Sequence, residues 1–239
     1  MSAAEAVSRS PHLVLVPGLT CTAELFSPQI AALRAHVGVS VADHSKHDSV
    51  AAIAAATLAA APRRFALCGL SMGGYIAFEM LRQAPERIER VALLDTAAGP
   101  DSAAQRARRL RLIAMARGGK YKEVSIALWP LYIHPDRHED TALKAVVLRM
   151  IAETGAETFI RQQSAIMSRA DSRPSLARIK CPALVLVGAQ DALTPPAEAE
   201  AIAAGIDGAR LVSVPDCGHL STLERPAAVN RALADWLDW

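Results

Sequence analysis

Six short, continuously apolar runs are spaced along the chain with helix-like segments between them, and this alternation constrains the fold most. The runs cover residues 12–16, 37–41, 65–68, 91–94, 183–187 and 211–214. Only His12, Ser40 and Ser213 interrupt their apolar character, so both faces of the strands are expected to be buried. A strand buried on both faces, followed by a helix, predicts a mostly parallel sheet with helices packed on its two sides, a doubly wound α/β fold. Only about a dozen residues precede the first run, so the expected sheet has about six strands. Ser27-Pro28 reads as a cap and first helical residue for a helix to about residue 35, and Asp48 or Ser49 can cap the Ala-rich segment after it. A further helix is expected from Ser71 to about Gln83, another behind Pro195-Pro196, and a last one from about Pro226 to Trp239.

The stretch 99–172 breaks the rhythm. It has no strand-like run, and Leu110, Ile113, Leu128, Trp129, Leu131 and Tyr132 recur among charged residues at helical spacing. It is expected to be a helical cap inserted after the fourth strand, leaving residues 11–98 and 173–239 as the α/β core. A chain of 239 residues, 51% hydrophobic and 21% charged, can bury one sizeable core. Its net charge of +2 argues against nucleic acid or an anionic membrane as a partner. Cys21, Cys68, Cys181 and Cys217 form no CxxC pair, and neither a disulfide framework nor a metal site is expected from them. Residues 1–11 lack the basic start and apolar centre of a secretory signal, and the apolar run 50–61 is too short to span a bilayer. These features together predict a cytoplasmic location.

The third run leads directly into Gly69-Leu-Ser71-Met72-Gly73, with a helical segment after it. A GxSxG turn between strand and helix lifts a serine hydroxyl above the sheet, so Ser71 is the candidate nucleophile. A serine needs a general base, and of seven histidines His219 alone lies in a loop directly after a late strand. The base needs a carboxylate to set its tautomer. Asp191, just past the fifth run, completes the order Ser, Asp, His. Asp95, at the end of the fourth run, competes for that role, and Asp216 is read as a turn residue. The tetrahedral oxyanion of acyl transfer needs two N–H donors. The amide of Met72 and that of Leu19, behind Pro17-Gly18, are the candidates.

These segments resemble the α/β-hydrolase superfamily: VPGLT at 16–20, CGLSMGG at 68–74, LLDTAA at 93–98, VGAQDALTP at 187–195 and PDCGHLSTLERP at 215–226. More narrowly, GLSMGG with LLDTAA resembles small carboxylesterases and 3-oxoadipate enol-lactonases. The resemblance implies hydrolysis of a small-molecule ester or lactone through an acyl-serine, without a cofactor. Thioester hydrolysis, perhydrolysis and C–C bond cleavage use the same triad. A ligand receptor that has lost catalysis is the alternative of another class. The chain departs from many relatives in having Pro17-Gly18 where they carry His-Gly. It also has Asp43-His-Ser-Lys-His-Asp48 in place of a glycine-rich loop.

Three weaker signals complete the expectations. His44, His47 and Asp48 are read as a solvated loop rather than a metal site. Arg106, Arg108, Arg109 and Arg111 are read as a solvated helix face rather than a site for an acidic substrate, and the expected substrate is an uncharged or weakly polar ester. Trp129, Tyr132, Met115 and Phe159 are candidate walls of the substrate pocket, with Met150 and Met167 as further apolar candidates.

Overall fold

A computed structural model describes residues 12–238; the expectations for residues 1–11 and for a helix end at Trp239 lie outside the described residues. One sheet is formed by β1 (His12–Val16), β2 (Gly38–Val41), β3 (Phe65–Leu70), β4 (Ile88–Leu94), β5 (Ala183–Gly188) and β6 (Arg210–Val214). The strand order is β2-β1-β3-β4-β5-β6, and every neighbouring pair is parallel. The sheet is therefore wholly parallel among the described residues.

Period-two geometry divides the apolar runs between two cores. Leu13, Leu15, Cys68, Leu70, Ala92, Leu94, Leu184 and Leu186 pack with α1 (Ser27–Leu33) and α9 (Pro226–Leu237). Their sequence neighbours Val14, Val16, Leu67, Val91, Leu93, Val185 and Val187 pack with α2 (Val50–Ala60), α3 (Met72–Gln83) and α7 (Pro196–Gly205). Burying each such side chain stabilises the fold by about 1.5–3 kcal/mol. The edge strands β2 and β6 are partly exposed.

Capping differs in detail from the expectation. Ser27 is the first residue of α1 rather than its cap, because a 3₁₀ turn over Ala23–Phe26 already leads into the helix and Thr22 caps that turn. Ser49, not Asp48, caps α2 by accepting from the Ala52 amide at 3.2 Å.

Between β4 and β5 lie α4 (Ala103–Arg117), α5 (Tyr121–Tyr132) and α6 (Thr141–Met167). Ser102 and Gln105 form a capping box at the start of α4. At Gly155 (φ 72°, ψ 164°) α6 kinks, a conformation that a residue without Cβ adopts freely. The four-residue helix α8 (Ser221–Glu224) follows β6. Among the described residues, no helix is long and apolar enough to cross a membrane.

The chain runs from β1 outward to β2, then returns to place β3 on the other side of β1. The loops after β1 and β3 therefore diverge, and a crevice opens at the carboxyl ends of these strands, where parallel sheets of this kind bind ligands.

Candidate active site

Ser71 stands between the end of β3 and the start of α3 with φ 55° and ψ −113°. A non-glycine residue held in such a conformation costs about 1–3 kcal/mol, so surrounding bonds must hold it. The Ser71 amide donates to the Leu94 carbonyl (2.9 Å), and the Thr96 hydroxyl donates to the Ser71 carbonyl (2.8 Å). The flanking glycines are needed for close approach. A Cβ on Gly69 would lie 2.3 Å from the Gly73 carbonyl oxygen, and one on Gly73 would lie 1.9 Å from that of Val16. Both obstacles are backbone and cannot rotate away. Gly73→Ala is expected to lower the unfolding free energy by about 3 kcal/mol or more, read from the urea midpoint. An unchanged midpoint would show that the turn relaxes without loss.

His219 and Asp191 are both buried, and they meet Ser71 in one line. The imidazole Nε2 is 2.9 Å from Ser71 Oγ, and Nδ1 is 2.7 Å from Asp191 Oδ2. The tautomer consistent with these contacts has Nδ1–H donating to the carboxylate and Nε2 accepting from the serine hydroxyl. Asp191 Oδ1 accepts from the amides of Leu193 (2.8 Å) and Thr194 (3.0 Å), and Oδ2 accepts from the Thr194 hydroxyl (2.7 Å). Burial works to raise the Asp191 carboxyl, but the facing imidazole and these donors outweigh it and hold it below the usual carboxylate range. Burial likewise works to lower His219. The charge and hydrogen bond of Asp191, followed by the charges of Asp95 and Glu224, outweigh it and hold the imidazole above the ordinary histidine value. Thr194 was missed from sequence, although Asp-x-x-Thr is a spacing at which a carboxylate accepts from the two and three residues after it.

Asp95 does not bond to His219. It accepts from the Gly188 amide at 2.9 Å and from the Ser221 hydroxyl. Burial, reinforced by the nearby Asp191 charge, pushes its carboxyl up to about 8. Asp216 has φ 49° in an exposed turn, and Arg225 Nε donates to its carbonyl at 2.9 Å.

The loop after β1 packs against the serine turn. A Cβ on Gly18 would lie 3.5 Å from Ser71 Cβ. Among the described residues, no backbone acceptor takes up the amide of Leu19 or of Met72. Here the structure corrects the expectation for His44, which is not in a solvated loop. It is buried, and its Nε2 lies 2.9 Å from the Gly18 carbonyl oxygen. Gln162, on α6, sits 3.2 Å from the same nitrogen and accepts from the Thr20 amide at 3.0 Å. The β2 loop and the inserted helices thus brace the β1 loop from two sides. His47 is half-buried and Asp48 is exposed. Among the described residues, no group of three or more His, Cys, Asp or Glu is placed to hold a metal ion.

A cavity of about 290 Å³ opens over Ser71 and His219, roofed by residues from α4, α5 and α6. Tyr132 lines it, and its ring stacks on the His219 ring with centroids 6.1 Å apart. Three other expected pocket residues do not line it. Trp129 donates its indole N–H to the His138 carbonyl, Phe159 packs on the Tyr121 ring, and Met115 packs against the core. Large apolar side chains gain most by burial between the inserted helices, and that gain takes them away from the pocket.

The arginines of α4 also depart from a solvated face. Arg106 and Arg111 are exposed, but Arg108 and Arg109 are partly buried and line the cavity. Arg109 Nε lies 2.7 Å and Arg169 Nη1 2.8 Å from the Asp101 carboxylate, and Arg169 also stacks 4.3 Å over the Tyr75 ring.

Known proteins match along nearly the whole chain. The alpha/beta hydrolase family profile aligns with residues 13–232. A curated relative, 3-oxoadipate enol-lactonase 2 of Acinetobacter baylyi, is 30% identical over 167 residues, 70% of this chain and 61% of the relative. The solved structure of a thermophilic esterase from Thermogutta terrifontis, with malate bound, superposes with a TM-score of 0.87 at 28% identity, covering 95% of this chain and 89% of its own. The enol-lactonase of Burkholderia xenovorans LB400 gives a TM-score of 0.86 at 29% identity, covering 98% and 94%. By its profile, its six-stranded parallel sheet and these neighbours, the chain belongs to the alpha/beta hydrolase family.

Proposed function

We propose that the protein hydrolyses a small carboxylic ester through an acyl-Ser71 intermediate. The observation that carries this reading is the unbroken line Ser71 Oγ, His219 imidazole, Asp191 carboxylate at the floor of the cavity. In the first step Ser71 Oγ attacks the substrate carbonyl while its proton passes to His219 Nε2. Asp191 stabilises the imidazolium that forms. The amides of Leu19 and Met72 receive the developing oxyanion, each contributing on the order of 10²–10³ in rate. The imidazolium then protonates the leaving alcohol. A water, deprotonated by the same nitrogen, attacks the acyl-serine and frees the acid. No group beyond the polypeptide is required. The inserted helices, residues 99–172, act as the cap that closes the cavity over the substrate.

Labelling by a fluorophosphonate probe at Ser71, followed by steady-state assays on p-nitrophenyl acyl esters, tests the proposal. A receptor that had lost catalysis would not label. Lactone hydrolysis is the second reading, favoured by the two enol-lactonases among the similar proteins, and a lactone panel beside the esters separates the two.

The pH profile is a further check. Nε2 must be unprotonated to accept the serine proton, so kcat/KM is expected to fall as pH drops through the His219 pKa. Because that pKa is raised, the inflection should lie above 6.5. An acid limb with its midpoint well below 6.5 would mean that another group limits the rate.

A further inference from the structure

The cavity holds a cation that the chemistry above does not use. Arg108 lines the same cavity as Ser71 and His219 and has no hydrogen bond or ion pair with any described residue. It pairs with neither Asp101 nor Glu198. Arg109 and Arg169 both lean on Asp101, and Arg109 Nη1 also donates to Gln163 at 2.9 Å. Glu198 is the only carboxylate side chain among the described lining residues. Three guanidiniums therefore face two carboxylates, one of them shared by a pair. Partial burial and the like charges of Arg109 and Arg111 work against the Arg108 charge. Among the described residues, then, Arg108 is a partly buried cation in the cavity wall without a counter-charge bonded to it. A guanidinium presents two parallel N–H donors that match a carboxylate.

We propose that Arg108 binds a carboxylate carried by the substrate, so that the bond cleaved at Ser71 belongs to an anionic ester, such as a half-ester of a dicarboxylic acid. It differs from the uncharged or weakly polar substrate expected from sequence, and it rests on the hydrolase reading for its reactive centre. Arg108 is a specificity residue: it fixes the far end of the substrate while the carbonyl lies at Ser71.

The test compares the p-nitrophenyl half-ester of a linear dicarboxylic acid with the neutral p-nitrophenyl ester of equal chain length. Wild type is expected to favour the anionic ester in kcat/KM, with the preference shrinking as ionic strength rises. Arg108→Gln should cut the anionic-to-neutral ratio by about 30-fold, and Arg108→Lys should restore part of it. Binding of the monoethyl half-ester to Ser71→Ala, measured by calorimetry, provides a readout without turnover; adding Arg108→Gln should weaken it at least about tenfold. An unchanged ratio and unchanged binding would overturn the role of Arg108 while leaving the hydrolase reading intact. If neither ester turned over but binding still depended on Arg108, the hydrolase reading would fail and the anion site would stand.

Discussion

Ser71→Ala is expected to cut ester turnover by about 10⁶ while leaving the thermal unfolding midpoint close to wild type. The substitution keeps Cβ and the backbone bonds from Ser71 to Leu94 and Thr96, so the strained turn is held as before. What disappears is Oγ, the atom 2.9 Å from His219 Nε2. Without it no acyl-enzyme forms, and only cavity binding and the oxyanion amides remain to act on a water. Steady-state assays with an intact-mass check for acyl adducts provide the measurement. Turnover within tenfold of wild type would remove Ser71 from the mechanism.

The second large effect is expected at Asp191. Its Oδ1 already accepts two backbone amides, from Leu193 and Thr194. An asparagine there must keep its oxygen at that position and turn its NH₂ toward His219 Nδ1. Nδ1 then becomes an acceptor, the ring proton moves to Nε2, and Nε2 can no longer take the proton of Ser71. A loss of about 10⁴ in kcat is expected for Asp191→Asn. Asp95→Asn is the contrasting case. Asp95 makes no bond to His219, and an asparagine there keeps an oxygen for the Gly188 amide and can turn its NH₂ toward the Ser221 hydroxyl oxygen. Its loss should stay below about tenfold, or ~1.4 kcal/mol. Comparable losses in the two variants would mean that Asp95, not Asp191 alone, supports the base.

The three residues that meet in the candidate site were legible because each stands in a loop directly after an apolar strand run: Ser71 after β3, Asp191 after β5 and His219 behind β6. Strand runs carry a strong hydrophobic signal, and a parallel sheet brings all their carboxyl ends to one edge. What was not legible depends on packing between distant segments. Nothing local to His44 shows that its ring reaches the Gly18 carbonyl, a contact set by β2 lying beside β1. The four arginines of α4 look alike in the sequence. Only the docking of α4 on α6 and against the β4 loop turns Arg108 and Arg109 inward and leaves Arg106 and Arg111 outside. Of the expected pocket walls Tyr132 lines the cavity and Trp129, Phe159 and Met115 do not, because apolar character predicts burial but not which interior a side chain joins.

One fastening has a consequence for engineering. The Tyr132 carbonyl, at the end of α5, accepts from the amides of His219 (3.1 Å) and Leu220 (3.0 Å). Glu224, just beyond, accepts from the His134 amide at its carboxylate (2.8 Å) and from Arg137 at its carbonyl (2.7 Å). Displacing the end of α5 would therefore displace the loop that carries the His219 imidazole. A chimera that exchanged the roof for a relative's would keep its rate only if the graft also supplied a carbonyl at the place of Tyr132.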